Sequence, residues 1–285
     1  MRMATRKDGA AETACIVTEA GTIPIHAVNR AEGKRWPVQV LDIIAAGALE
    51  DIRAWYDAAD PERLAALTDS SDAEYAPLYR HPRKIWGIGF NYAADEAELR
   101  RTPADAEPVG FMKPDTTIIG HREAIRIPRQ SERTVAEAEL AVVIGKRCKD
   151  VDAAEALGVI AGYTTAIDVS ADDIHQKNPR FLTRAKSFDT FCGFGPVLVT
   201  PDEIDDVSTL RVSTVLNGSV AHQNRIAHMR YPPCWIVAFH SAVMTLLPGD
   251  VILSGTPGAV VIRDGDVVEC RIDGFEPLMN RVSRY

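Results

Sequence analysis

Apolar positions along this chain follow two spacings. One is the unbroken run: 138–144 and 159–167 are almost continuously apolar and rich in β-branched residues, as strands covered on both faces must be. The other is alternation, clearest in Val267-Val-Glu-Cys-Arg-Ile272, the signature of a strand with one wet face. Together they predict strands at 85–89, 117–120, 124–127, 138–144, 159–167, 196–199, 211–216, 219–223 and 267–272. Asn217-Gly218 separates two of these runs and is a strong two-residue hairpin turn. Helical spacing is sparse in this part, confined to 93–101, 153–158 and 234–247. The first 80 residues have another texture: a hairpin turning at Ala20-Gly21, helices over 38–48 and 49–59, and a third opened by Pro61. The expected fold class is α+β, predominantly β, with a small N-terminal α+β domain at 1–80 and a main domain at 81–285.

One strand carries unusual chemistry. In Val135-Ala-Glu-Ala-Glu-Leu-Ala-Val-Val-Ile-Gly145, Glu137 and Glu139 are two apart and so emerge on the same face, which continues through Ala141 and Val143. Two half-buried like charges need a cation, and a hard divalent ion with oxygen ligands, Mg2+ first among them, supplies it. Asp168 ends the next apolar run and offers a third carboxylate. Lys186 follows in a turn-rich segment suited to displaying a side chain from a loop. Three carboxylates, one divalent ion and one ammonium sum to zero, so the centre could accept an anionic keto acid.

The order of motifs resembles the fumarylacetoacetate hydrolase family from about Arg83 onward. The segments that carry the likeness are Lys84-Ile-Trp-Gly-Ile-Gly-Phe-Asn-Tyr92, Gly110-Phe-Met-Lys-Pro114, the Glu137/Glu139 strand, Gly162-Tyr-Thr-Thr-Ala-Ile-Asp-Val-Ser-Ala171, Lys186-Ser-Phe-Asp-Thr-Phe-Cys192 and Leu247-Pro-Gly-Asp-Val-Ile-Leu-Ser-Gly-Thr-Pro257. The resemblance implies a mixed β-sandwich or roll as a metal-dependent catalytic domain, with Mg2+ or Mn2+ bound by Glu137, Glu139 and Asp168. It further implies Lys186 near the substrate, Thr256 on the substrate carboxylate, Tyr92 among the substrate-binding residues, and a homodimer.

Departures from the family pattern fall on substrate and base positions. The water-activating His-Glu pair of the family's hydrolases corresponds here to Asp95 and Glu98, and its substrate-gripping Arg and Gln correspond to Asp172 and His175. An ordinary Asp, with a pKa near ~4, is a poor base for water at neutral pH. Either His175 takes over as general base, or no water is activated and the metal alone favours enolisation. If Asp95 and Asp172 both face the pocket, it becomes net negative; if they face solvent, that inference vanishes. The expected activity is C-C cleavage of a β-dicarbonyl or 2,4-diketo acid through a metal-stabilised enolate. Oxaloacetate-type decarboxylation, keto-enol tautomerisation or isomerisation, and an inactive metal-binding scaffold are the alternatives.

Composition agrees with a globular enzyme: 285 residues, 46% hydrophobic and 25% charged. A net charge of -8 gives no basis for binding nucleic acid or an anionic membrane. No apolar run approaches membrane length and no secretory h-region follows the N-terminus, so a cytoplasmic location is the expectation. Five scattered cysteines without a Cys-x-x-Cys pair point to free thiols, Cys192 among them as a packing residue. The pair Gly87-Ile-Gly89 lacks the third glycine of a dinucleotide fingerprint.

Overall fold

The computed structural model describes residues 1–285. Its strands are β1 (Arg2–Asp8), β2 (Ala11–Thr18), β3 (Gly21–Pro24), β4 (Ile85–Gly89), β5 (Val109–Lys113), β6 (Ile118–Ile119), β7 (Ala124–Ile127), β8 (Thr134–Ile144) and β9 (Ile160–Ala171). Then follow β10 (Cys192–Phe194), β11 (Val197–Val199), β12 (Arg211–Leu216), β13 (Ser219–Arg225), β14 (Val251–Leu253), β15 (Ala259–Ile262), β16 (Val267–Ile272) and β17 (Leu278–Arg284). The helices are α1 (Ile25–Glu32), α2 (Val40–Ala45), α3 (Leu49–Ala58), α4 (Pro61–Leu67), α5 (Glu96–Leu99), α6 (Asp172–Lys177), α7 (Leu182–Lys186) and α8 (Pro233–Val243). None is long and apolar enough to cross a membrane.

A 12-stranded sheet runs in the order β3-β2-β1-β11-β9-β8-β14-β4-β5, with β6, β10 and β15 attached off this path. A 5-stranded sheet, β13-β12-β16-β17-β7, covers one face of it. Core residues divide accordingly. Ala138, Leu140 and Val142 of β8 pack with Val212, Val268 and Cys270 of the smaller sheet, while Ala141 and Val143 face the helices that bring in Val28, Ile43 and Ile52. Apolar residues at both odd and even positions of β8 follow from this double cover. β9 is buried along its whole length for the same reason.

The N-terminal segment shares this sheet. β1 pairs with β11 through Arg2↔Val199, and helices α1–α3 contribute to the core on the sheet's second face. The hairpin at Ala20-Gly21 and the helices near 40, 49 and 61 lie where the apolar pattern puts them. Strand β1 and helix α1 do not announce themselves in the sequence. Met1 to Lys7 carries several positive charges, yet its strand pairs with β2 and β11.

Several expected helices are shorter. The one at 93–101 is a single turn, α5, and the one at 153–158 is a 3-10 turn, Ala156–Val159. β15 is a four-residue strand whose partner, β8, is distant in sequence, and local alternation is too brief to reveal it. All five cysteines are free, as expected, and Cys192 is buried.

Candidate metal centre

β8 and β9 are antiparallel neighbours in a register that sets Glu137 opposite Asp168 and Glu139 opposite Ala166. Side chains of directly opposed residues share a face, so the register delivers Asp168 to the two glutamates. One carboxylate oxygen from each of Glu137, Glu139 and Asp168 lies within 4.8 Å of the others. Glu139 and Asp168 are buried and Glu137 half-buried.

Two lysines hold this cluster together. Lys186 Nζ donates to Glu137 Oε2 at 2.8 Å and also to Asp168 Oδ2. It stands at the C-terminal end of α7 and is buried, which corrects the expectation of a loop-displayed lysine. The second is Lys113 of β5, whose Nζ donates to Asp168 Oδ1 at 2.5 Å and to the Val169 carbonyl at 3.2 Å. Sequence reasoning missed Lys113 and used its segment only as a motif. The available signal was its place two residues after Phe111 on one strand face, since a lysine in phase with a buried aromatic is poorly placed for water. The Phe111 ring lies beneath both ammonium groups, 4.4 Å from Lys186 Nζ and 5.8 Å from Lys113 Nζ. Gly87 leaves room for that ring: a Cβ there would sit 2.1 Å from Phe111 Cζ.

Electrostatics distinguishes the acids. Burial pushes the Asp168 carboxyl up, but Lys113 and Lys186 outweigh it and hold the group below its ordinary range. Burial likewise opposes the Lys186 charge, and Asp168 and Glu137 more than restore it. Glu139 goes the other way. Burial, reinforced by the Asp168 and Glu137 charges, drives its carboxyl well above the usual value. Its one hydrogen bond is from Gly255 N–H at 2.6 Å, and no lysine reaches it.

With all three acids ionised, two ammonium groups against three carboxylates leave one negative charge in excess, and Glu139, the acid without a cationic partner, is the one that burial and its neighbours keep from carrying it. A divalent ion among these oxygens would cancel that excess and leave the centre net positive, so the donor set fits a hard cation. Lys113 thus revises the neutral charge count expected from the sequence.

The remaining candidates lie apart from the cluster or touch it through backbone. Asp95 is exposed and caps α5, accepting from Glu98 N–H at 2.8 Å. Glu98 accepts from Ala94 N–H at 2.8 Å and pairs with Arg230, and the backbone bond first, then Arg230, hold its carboxyl below the ordinary range. In this structure the two acids bond to the local backbone and to Arg230. Asp172 accepts from Arg133 Nε at 2.7 Å and from Gln176 at 2.6 Å. With Asp95 exposed and Asp172 paired to Arg133, the expected negative pocket field does not arise.

His175 is half-buried on α6 and its ring makes no hydrogen bond. Tyr92 has a buried hydroxyl without a partner, and burial, together with the Glu139 charge, raises its pKa well above the ordinary value. Thr256 sits in the turn after β14, its hydroxyl 3.1 Å from the Gly258 carbonyl. The preceding residue of that turn, Gly255, is the one that donates to Glu139.

A strand-built acidic triad braced by buried lysines, on a two-sheet scaffold, defines a class of β-rich proteins with an oxygen-donor cation site. The chain belongs to the fumarylacetoacetate hydrolase family, whose C-terminal domain model matches residues 84–283. A protein of Mycobacterium tuberculosis is 46% identical over 202 residues, covering 70% of this chain and 76% of that one. The mitochondrial oxaloacetate tautomerase fahd2 of Xenopus laevis is 38% identical over 225 residues, 76% of this chain and 70% of its own.

Among solved structures, 5-carboxymethyl-2-hydroxymuconate delta-isomerase from Mycobacterium smegmatis superposes with a TM-score of 0.70 at 42% identity, over 75% of this chain and 83% of that one. Maleylpyruvate hydrolase from Sphingobium sp. SYK-6, in complex with manganese(II) ion and pyruvate, gives 0.80 at 26% identity, over 100% and 99%.

Proposed function

We propose that this chain is a divalent-metal-dependent keto-enol tautomerase or isomerase acting on a 2-oxo dicarboxylic acid of the oxaloacetate type. The observation that carries this reading is the engagement of Asp95 and Glu98 elsewhere, one as a helix cap and the other with Arg230, while Lys186 joins two of the three acids. Moving a proton from an enol oxygen to the neighbouring carbon consumes no water and needs no nucleophile. Lys186 Nζ, kept protonated by Asp168 and Glu137, is suited to hold positive charge beside the enolate while one proton leaves the enol oxygen and one is taken up at the neighbouring carbon. Lys113 holds Asp168 in place and adds positive charge for an anionic substrate. A divalent ion held by Glu137, Glu139 and Asp168 would supply Lewis-acid polarisation of the 2-oxo group.

Hydrolytic C-C cleavage is the second reading, supported by the whole-length likeness to maleylpyruvate hydrolase. It requires Glu98 to leave Arg230 and approach the centre.

One assay separates these readings. Oxaloacetate and a 2,4-diketo acid are mixed with the protein and Mg2+ or Mn2+, and enol absorbance, pyruvate and CO2 are followed together. Tautomerase activity removes enol absorbance without releasing pyruvate or CO2. Release of pyruvate from the diketo acid overturns this assignment for hydrolysis, and release of CO2 from oxaloacetate replaces it with decarboxylation. Loss of every activity, with metal still bound, leaves the scaffold reading.

A further inference from the structure

The ladder along β8 has a gap beside the acidic centre. β14 covers Ala141, Val142 and Val143, and β15 covers Thr134 to Glu137, so Ala138, Glu139 and Leu140 have no strand partner on that side. Residues 254–258, which contain the Gly-Thr-Pro turn, bulge away there. Backbone groups left unpaired in a buried strand would cost stability, and three groups at this gap find individual partners. Ser254 donates to the Leu140 carbonyl through its N–H at 3.1 Å and its hydroxyl at 2.8 Å. Gly255 N–H meets the Glu139 carboxylate.

The third satisfaction comes from the other sheet. Thr214 of β12 is fully buried, and its Oγ1 accepts from Ala138 N–H at 3.2 Å while donating to the Gly258 carbonyl at 2.9 Å. Ala138 lies between the two glutamates, and Gly258 closes the turn that carries Thr256. One hydroxyl therefore ties the peptide between two acidic ligands to the far end of the turn, in a position where backbone pairing is absent.

We propose that Thr214 is a positioning residue that fixes the spacing between the Glu137/Glu139 pair and the Thr256 turn, acting through Ala138 and Gly258. This rests on the metal-centre reading above, though not on which reaction is catalysed. Without the hydroxyl Ala138 N–H loses its partner and the Gly258 carbonyl keeps only the Thr256 hydroxyl of its own turn, so nothing ties that end of the turn to β8 and Gly255 drifts with it from Glu139. Supporting residues of this kind typically alter metal affinity or activity by about 10- to 100-fold.

The test is Mn2+ binding by calorimetry on wild type, Thr214→Val and Thr214→Ser. Thr214→Val is expected to bind Mn2+ about 10- to 100-fold more weakly, with Thr214→Ser within about threefold of wild type. In turnover at saturating metal, Thr214→Val raises KM more than it lowers kcat. Wild-type Mn2+ affinity and KM in Thr214→Val, or failure of Thr214→Ser to restore them, overturns the proposal. Should Thr214→Val not fold, amide exchange in wild type decides: Ala138 N–H as protected as its β8 neighbours supports the proposal, and exchange at surface rates refutes it. Wild type that binds Mn2+ but leaves oxaloacetate unchanged defeats the tautomerase reading alone.

Discussion

Glu137 and Asp168 stand directly opposite one another on adjacent antiparallel strands, a like-charge pair where sheets ordinarily place opposite charges. Lys186 bridges them, and Glu139 adds a third acid that neither lysine reaches. The arrangement sacrifices stability for a cation site, and the predictions below follow from that conflict.

Glu139→Gln removes a buried carboxyl that burial and two neighbouring acids press toward its neutral form. Without metal and at alkaline pH, where wild type must ionise this acid, the variant's thermal midpoint should lie about 3 °C or more above wild type, equivalent to roughly 1 kcal/mol at this chain length. The stabilisation that wild type gains from added Mn2+ should disappear in the same variant. Differential scanning fluorimetry with and without Mn2+ checks both, and a lower midpoint in metal-free buffer would contradict the charge account.

Lys113→Met leaves Asp168 with one ammonium in a site from which water is excluded. Breaking such a buried pair costs about 3–5 kcal/mol. Urea unfolding in metal-free buffer measures it; a loss under about 1 kcal/mol would mean that Lys113 contributes little to holding Asp168.

Gly87→Ala places a methyl against the Phe111 ring, which also supports Lys186. Overpacking of this kind costs about 1–3 kcal/mol. Activity should fall with stability because the ring and the lysine move together. Full turnover in a destabilised Gly87→Ala protein would separate Phe111 from Lys186.

Asp95→Ala tests the cap assignment directly. The α5 turn should loosen, visible as faster amide exchange at Glu98, while kcat for tautomerisation stays within twofold of wild type. A loss of kcat of about 100-fold or more would restore Asp95 to an acid-base role.

Asp69 gives a pH dependence remote from the centre. Bonds from the Ser71 hydroxyl and N–H, with Arg6 beside them, lower its carboxyl from 3.8 to about 2. A folded value below the unfolded one means stability is fully present above about 3.8 and is lost as pH falls toward about 2. The Asp69→Asn melting curve should therefore be flatter than wild type across that window. Parallel curves would refute the linkage.

Legibility in the sequence followed the range of the interaction. Glu137 and Glu139 could be placed on one face because strand geometry acts over two residues, and the Asn217-Gly218 hairpin because a turn is local. Lys113 was hidden: its partner Asp168 is 55 residues away, and only the curl of the sheet brings β5 to β9. Asp95 and Glu98 occupied the positions of a catalytic pair in the motif, but which groups they satisfy depends on Arg230, brought in from beside α8.

The sequence by itself determined the two-sided burial of β8 and β9, the acids they carry and the family signature, since each rests on side-chain periodicity or short-range order. Tertiary structure decided which charges meet. Register set Asp168 against Glu137, sheet curvature brought Lys113 to Asp168, and the break between β14 and β15 handed Ala138 to Thr214. Buried charges and unpaired backbone groups must find partners wherever the fold provides them, and no spacing along the chain encodes that proximity.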